Sequence, residues 1–364
     1  MRSIDNLYGT GLFEWVYADV ENDNGDVVMT VRAKEKNTWV ARFGLRYDEM
    51  YHTKGRINLS RENILGFGNR INVTWQAGER NKTIKVDNYN DRIYKSLYTS
   101  HIRVYRDYRL RPVFVDHDNT HDYMEDRYGG FISLGQHMDR LGNAIIKLKS
   151  ETVTVNTDST VNVKGKDREI RSVVIQSQID SYDRYPFPTN GSLNMIYIES
   201  TSEALGGTER FVKLFWYGDL VRTFWRRHTF SGSFSFGSAD PSTPGIEQFT
   251  LGGSASRLHC LNPESGMSHF YAPFPGLAPE EYYGTRLVVL HAGYRLFIPR
   301  YFHLDLIYSV GNAWRQNETI NTDSMLQGYG VTASFSTFGG PLGVGWGITS
   351  EGDDWMSIQA GWEF

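Results

Sequence analysis

Cysteine is almost absent: Cys260 stands alone among 364 residues, so the chain can form no internal disulfide and no cysteine-built metal cluster. Long apolar runs are absent too. No stretch reaches the ~18 residues that a membrane helix requires, and the mean hydropathy is −0.45, which excludes helical spans. The net charge of −4 is too small to point to nucleic acid. Catalytic signatures are missing as well: Gly-x-Ser-x-Gly, an Asp-Gly dipeptide for a Ser/Asp dyad, His-Glu-x-x-His, Cys-x-x-Cys and phosphate-loop patterns do not occur. The chain is therefore read as a non-enzyme that needs neither cofactor nor metal. No signal peptide opens it; Met1 to Asp5 lead straight into a folded-looking segment, as in a piece cut from a longer protein.

Aromatic residues are plentiful, at 14% with 22 Tyr, 20 Phe and 9 Trp, and there are 36 Gly. This mix suits sheets with many turns and rings of interfacial aromatics better than helices. A transmembrane barrel is compatible with the low hydropathy, because only alternate residues of each strand face lipid.

From Trp39 to the last residue, period-2 runs recur. In the final one, Met356, Ile358, Ala360, Trp362 and Phe364 share one face, and Ser357, Gln359, Gly361 and Glu363 the other. Val104, Tyr108 and Leu110 alternate with Arg103, Tyr105, Asp107 and Arg109, and Ala144, Ile146 and Leu148 alternate with Lys147 and Lys149. Charges gathered on one face of neighbouring strands argue for a wet barrel interior and against a soluble sandwich. Two readings follow for the inward basic residues Arg103, Arg109, Arg111, Lys147 and Lys149. They attract an anionic substrate or lipid headgroup or, the plainer reading, they pair with inward Asp and Glu.

Sixteen strands are expected, near 38–48, 55–63, 69–79, 82–93, 99–114, 124–136, 142–154, 168–181, 189–200, 208–220, 225–237, 285–296, 302–313, 326–336, 342–349 and 354–364. An even count is what a closed antiparallel bacterial barrel requires. With the first strand rising from the periplasm, every second connection is short or rich in Pro and Gly, as at 65–68, 183–191 and 338–341. The alternate set holds the longer polar loops at 115–123, 155–167, 314–325 and, dominating all others, 238–284. Residues 1–36 read differently: a short helix over Ser3 to Tyr8, then strands over Leu12 to Val20 and Asp26 to Ala33. Such a unit is too small to hold a core alone and reads as the end of a larger α/β module.

The dominant loop opens with Ile246-Glu-Gln-Phe-Thr-Leu-Gly-Gly-Ser-Ala-Ser-Arg-Leu-His-Cys260, and a long irregular loop in a repetitive chain is usually functional. Gly252 and Gly253 serve positive φ or close approach to a wall, or else act as the hinge of a mobile plug. Cys260 reads as loop packing, and Tyr301, Phe302, Trp355, Trp362 and Phe364 as girdle residues at the membrane interface. Gly361 weakens side-chain packing where the last strand meets the first, which marks the barrel seam.

Several stretches carry a further signal through their order. They are Leu7-Tyr-Gly-Thr-Gly-Leu-Phe-Glu-Trp-Val16, Glu35-Lys36 before Phe43-Gly-Leu-Arg-Tyr-Asp48, Asn63-Ile-Leu-Gly-Phe-Gly68, Phe249-Thr-Leu-Gly-Gly253, Ser309-Val-Gly-Asn-Ala-Trp314, Gly340-Pro-Leu342 and the terminal Phe364. Together they resemble the outer membrane protein 85 superfamily, the BamA/TamA-like surface antigens. The resemblance implies a 16-stranded antiparallel transmembrane β-barrel at 37–364, preceded at 1–36 by the C-terminal part of a POTRA domain in the periplasm, with 238–284 as extracellular loop 6. Leu251-Gly-Gly253 before the loop and Ala278-Pro-Glu-Glu-Tyr-Tyr-Gly284 after it look most like patatin-like outer-membrane proteins. On that likeness the barrel anchors or translocates an attached patatin-like phospholipase domain. The alternatives are a BamA/TamA-type insertion factor and a passive porin-like channel. The lipid bilayer is the expected partner, nucleic acid is not, and a second copy of the chain is admissible.

One departure matters. In the insertase and secretion branches, loop 6 carries an Arg that folds into the lumen and pairs with an Asp on strand thirteen. Aligning Leu258-His-Cys-Leu261 on that motif puts His259 at the Arg and Cys260 beside it, while Ser309 stands at the Asp. Losing both charges together is coherent, since one left alone and desolvated would be costly. The resemblance leaves Arg257 and Asp305 as candidates for a substitute lock.

Overall fold

The computed structural model describes residues 13–23, 26–35, 38–48, 52–64, 68–90, 93, 96–115, 117–138, 142–157, 167–253, 270–298, 302–338 and 340–361. Strands β1 (Phe13–Asp23) and β2 (Asp26–Glu35) form a two-stranded antiparallel hairpin of their own. The expected helix over Ser3 to Tyr8 lies outside the described residues.

Sixteen strands then close into an antiparallel barrel. Eleven precede the long loop: β3 (Trp39–Asp48), β4 (His52–Ile64), β5 (Asn69–Gly78), β6 (Asn81–Asn90), β7 (Tyr98–Val115), β8 (Asp118–Met138), β9 (Gly142–Thr157), β10 (Arg168–Asp180), β11 (Asn190–Thr201), β12 (Phe211–Phe224) and β13 (His228–Ala239). Within the loop lie the short β14 (Phe249–Leu251), β15 (Tyr271–Ala272) and β16 (Tyr282–Gly284), which make a small sheet of their own. The wall resumes with β17 (Arg286–Ile298), β18 (Phe302–Trp314), β19 (Leu326–Thr337), β20 (Gly340–Thr349) and β21 (Asp354–Ala360). Sequential strands pair throughout, and β21 returns to β3 to close the barrel.

The alternation in the sequence sets which side of the wall each residue takes. Leu148 is 60% exposed on the outer face, where lipid covers it, and its neighbour Lys149 is 6% exposed on the inner face. On β21, Met356 and Ile358 point out while Ser357 and Gln359 point in, as the period-2 pattern requires. A polar lumen and an apolar belt follow from the same residue order.

The expected loop at 115–123 is instead largely strand. β7 and β8 run on until they are joined at 116–117, with a register shift at Val113/Phe114. The polar run Asp118-Asn-Thr-His121 is exposed. Beyond the bilayer a two-stranded ribbon needs only backbone pairing, so polar side chains on both faces, which read as loop in the sequence, are tolerated there. The connection between β13 and β17, from Ala239 to Arg286, is loop 6.

The hydrophobic core of the molecule lies inside the barrel. Phe249, Leu251, Phe270, Ala272, Phe274 and Leu277 of loop 6 pack on Tyr197, Phe215, Tyr217, Leu287, Val289 and Ala313 of the wall. Phe270 stacks on Phe215 at 4.3 Å between ring centroids and meets Tyr197 edge-on at 4.7 Å. Pairs of this kind add ~0.5–1.5 kcal/mol each beyond their area.

Candidate functional site in the barrel lumen

The loop root is built from backbone. β14 pairs antiparallel with β16 and parallel with β15. Gly252 N–H donates to the Ala272 carbonyl at 3.0 Å and Gly253 N–H to the Leu277 carbonyl at 2.9 Å. Gly252 has φ +133°, and a Cβ there would sit 2.0 Å from the Ala278 oxygen, so only glycine fits. Farther in, the Pro275–Gly276 turn lies against the wall glycines Gly328 and Gly347, where any side chain would collide with it.

Charge anchors the plug. Glu247, at the end of a single 3-10 turn over Gly245–Glu247, enters the lumen and accepts from Arg127 Nη2 at 2.7 Å and Lys213 Nζ at 2.9 Å. Arg127 also reaches Glu151 at 2.8 Å and Glu125 at 3.0 Å, and Lys213 reaches Glu199 at 3.4 Å. Lys149 joins Glu199 at 2.6 Å and Glu151 at 3.2 Å. The second anchor is Glu280, held in the left-handed region at φ +59°, which accepts from Arg111 Nε at 2.7 Å. Arg111 Nη1 donates to Glu125 at 3.2 Å and to the Ile246 carbonyl at 3.4 Å.

The wall thus brings four bases (Arg111, Arg127, Lys149, Lys213) and three acids (Glu125, Glu151, Glu199) to one level of the lumen. Loop 6 supplies Glu247 and Glu280, which give five acids against the wall's four bases. All these side chains are at least nine-tenths buried, so breaking one contact leaves its partner desolvated.

A third contact sits on the rim of the barrel, at the β7–β8 tip. His117 there meets Glu281 at 2.6 Å, and Glu281 also accepts from the Ala278 backbone N–H at 2.6 Å. The Glu281 contact raises the His117 pKa above 6.5, while burial pushes the Glu281 carboxyl up against the pull of His117. Asp353 lies 3.6 Å from His117, and His117, Glu351 and Asp353 present ligand-type atoms within 4.8 Å of one another. Among the described residues this is where a metal would find three such ligands, on the surface and away from the lumenal centre.

Arg103, Arg109, Arg111, Lys147 and Lys149, the basic residues singled out in the sequence, face inside, where Arg103 pairs with Asp87 and Arg109 with Asp107 at 2.5 Å. Lys147 lies over the Phe131 ring at 4.4 Å. Asp305 is engaged by Arg295 Nε at 2.6 Å, and the Ser309 hydroxyl lies 2.7 Å from His291 Nδ1. Phe187 of the β10–β11 turn packs over this end of the barrel, its ring centroid 4.2 Å from that of His303. Arg257, Leu258, His259 and Cys260 lie outside the described residues, as do Trp362 and Phe364. Gly361 has φ +102°, and its Cβ would meet the Leu45 oxygen at 2.0 Å. The pairing of β21 with β3 comprises Gln359↔Asp48 and Ala360↔Tyr47 among the described residues.

Sequence reasoning did not single out Glu247, Glu280, Arg127 or Lys213. Glu247 stood in the opening stretch of loop 6 beside a more conspicuous Gly-Gly pair. Strand parity places Arg127 and Lys213 inward, but the consecutive acids Glu125-Asp126 blur that parity on β8.

The Omp85 superfamily domain matches residues 63–350. No curated protein sequence matches the chain. Among solved structures, BamA from Haemophilus ducreyi lacking POTRA domains 1–3 is similar with a TM-score of 0.80 at 12% identity, covering 99% of this chain and 78% of that one. CdiB from Acinetobacter baumannii gives 0.63 at 10% identity, covering 98% and 67%, and CdiB from Escherichia coli gives 0.62 at 12%, covering 100% and 69%. At these identities the likeness speaks for the fold.

Proposed function

Since the chain belongs to the Omp85 superfamily of outer-membrane barrels, we propose that it is the membrane anchor and translocation unit of a patatin-like phospholipase domain, attached to it or acting with it. On this reading the β1–β2 hairpin is the end of a POTRA domain on the periplasmic side, and the barrel carries transport rather than chemistry. One observation carries the proposal. The two stretches whose residues look patatin-associated, Leu251-Gly-Gly253 and Ala278-Pro-Glu-Glu281, both help to clamp the plug, the first through Ala272 and Leu277, the second through Arg111 and His117. A lumen filled by an anchored loop also suits a gated unit better than a passive pore.

The test is protease shaving of intact cells that express the full reading frame. A phospholipase domain cleaved at the cell surface, and retained inside when residues 246–284 are deleted, is the expected result. A passenger that stays periplasmic and protected, with or without the loop, overturns the proposal.

A second reading, insertion of other barrels into the membrane, draws on the seam: two described residue pairs join β21 to β3, against seven between β20 and β21. Depletion of the protein distinguishes the two, because an insertion factor lowers the amount of unrelated outer-membrane barrels and a dedicated anchor leaves them unchanged.

A further inference from the structure

The strands whose inner face carries loop 6 also form a concave site on the lipid side of the wall. The outward residues Phe230, Tyr294, Leu306, Val331 and Trp346, on β13 and β17 to β20, are successive partners in the strand register and make one row. Ala292, Tyr308 and Tyr329 make the next row. Between the rows lies a cleft of about 530 Å³, floored by the backbone of Gly293, Ile307 and Gly330.

Hydrogen bonds hold the cleft open. The Tyr294 hydroxyl lies 2.7 Å from His228 Nδ1, toward the end of the barrel opposite loop 6, whereas the Tyr308 and Tyr329 hydroxyls both donate to Gln327 Oε1 at 3.1 Å, toward the loop 6 end. The rings are thereby drawn apart. Trp346 Nε1 donates to Asp354 at 3.0 Å and bounds the β20 side. Four strand spacings of ~4.8 Å make the cleft ~19 Å long, about the reach of an acyl chain from one interface toward the middle of a hydrocarbon core of ~30 Å.

The β13 side of the cleft joins a cluster of positive charge. Arg222 is the register partner of Phe230, outward and exposed, and the turn after β12 carries Arg226 and Arg227 beside Trp225, which is 82% exposed. None of these three guanidinium groups has a hydrogen-bond or ion-pair partner among the described residues. No acid faces outward from the described positions of β12, β13, β17, β18 or β19. Asp183, in the neighbouring β10–β11 turn, is engaged by Thr189, Asn190 and Arg184. Trp225 and Arg226 hold φ of +47° and +63°, a left-handed pair that such hairpins usually give to Asn and Gly, so the turn keeps an aromatic ring and a cation at a conformational cost.

We propose that this face binds one anionic glycerophospholipid of the surrounding bilayer, with its phosphate on Arg222, Arg226 and Arg227 and one acyl chain in the cleft. Guanidinium forks suit phosphate oxygens, arginine side chains reach the interface from within the apolar belt, and Trp settles at headgroup level. An apolar, aromatic-lined cleft with polar groups gathered at one end is the usual form of a small-molecule site. A free phosphate would leave the cleft unused, and a neutral lipid would leave the arginines unused. The site concerns the membrane around the barrel and is independent of the phospholipase reading.

The experiment takes the full chain in nanodiscs of equal phosphatidylglycerol and phosphatidylcholine, releases it into detergent and weighs it by native mass spectrometry. One phosphatidylglycerol is expected to stay bound where phosphatidylcholine leaves. Arg222→Gln, Arg226→Gln and Arg227→Gln lower that preference by roughly fivefold for each arginine removed, and the corresponding Lys variants keep most of it. Ala292→Phe fills the cleft and reduces retention of both lipids alike. Heat-modifiable mobility on gels checks folding. A phosphatidylglycerol with a diazirine on its acyl chain needs no variant, and its crosslinks are expected on β13 and β17 to β20. Crosslinks spread evenly round the belt, equal retention of the two lipids, a preference unmoved by the Gln variants, or a copurifying polypeptide in the cleft overturns the inference. Export of a passenger without lipid preference refutes this inference alone, and lipid preference without export refutes the functional proposal alone.

Discussion

Glu247 is where loop 6 is most exposed to a single substitution. Glu247→Ala removes the acceptor of Arg127 at 2.7 Å and of Lys213 at 2.9 Å, at a point where the three side chains are 0–2% exposed. Removing one member of a buried ion pair costs about 3–5 kcal/mol, most of it the desolvation left on the survivor. Here the survivors keep company: Arg127 retains Glu125 and Glu151, and Lys213 retains Glu199. The low end, ~3 kcal/mol, is therefore the appropriate figure, and at ~1.4 kcal/mol per decade the docked-to-undocked ratio falls roughly a hundredfold. Single-channel recording reads this directly as more frequent large openings. Glu247→Gln, which keeps the volume and an acceptor but not the charge, falls between the wild type and the alanine variant. Opening frequencies equal to wild type in Glu247→Ala would refute the argument that buried charge seats the loop.

Three further outcomes are expected. The His117–Glu281 contact helps seat the loop while His117 is protonated: because Glu281 and the nearby Asp353 and Glu351 raise its pKa, the contribution is complete below 6.5 and fades as pH rises through the higher value. At the acid end it is lost again when Glu281, whose own pKa is raised by burial, takes up a proton. The difference in loop proteolysis between wild type and His117→Ala, followed against pH, should trace this window; a difference that does not vary with pH contradicts it. Gly361→Ala imposes ~1–2 kcal/mol for an L-residue at positive φ, plus the collision with Leu45, and should lower the temperature of heat-modifiability. Gly352→Ala, also at φ +102° but with nothing within 4 Å of its Cβ, controls for backbone strain alone. Leu148→Arg puts a charge on the outer face at ~2–4 kcal/mol and should reduce the folded fraction in bilayers, whereas an inward wall is expected to accept charge readily.

The barrel was legible because its physics is periodic. A wall with lipid outside and water inside forces alternation, and strands such as Leu148-Lys149 or Ser357-Ile358 state the inside and outside residue by residue. The ribbon beyond the membrane was not legible, since at Asp118 to His121 water lies on both faces and no pattern is imposed. The plug was legible as a long loop and as a Gly-Gly pair, but not as a charged anchor. Glu247 and Arg127 are separated by 120 residues and meet only because β8 and loop 6 share one level of the closed barrel. Ser309, placed by resemblance at the lock, sits beside His291, a cross-strand neighbour in the register, which the alignment alone does not contain.

The most direct measurement is a crosslinking trap. Glu247→Cys and Lys213→Cys, in a chain whose single native cysteine is replaced by Cys260→Ser, are joined in membranes by a flexible, reductant-cleavable bis-thiol reagent that spans what the two original side chains spanned, since it is their ends that meet at 2.9 Å, and the loop is then cut with protease. The account predicts that the two positions link, that the cut loop stays attached to the wall, and that large channel openings are abolished until a reductant is added. Failure to link in a folded barrel, or openings that persist in the linked protein, would contradict it.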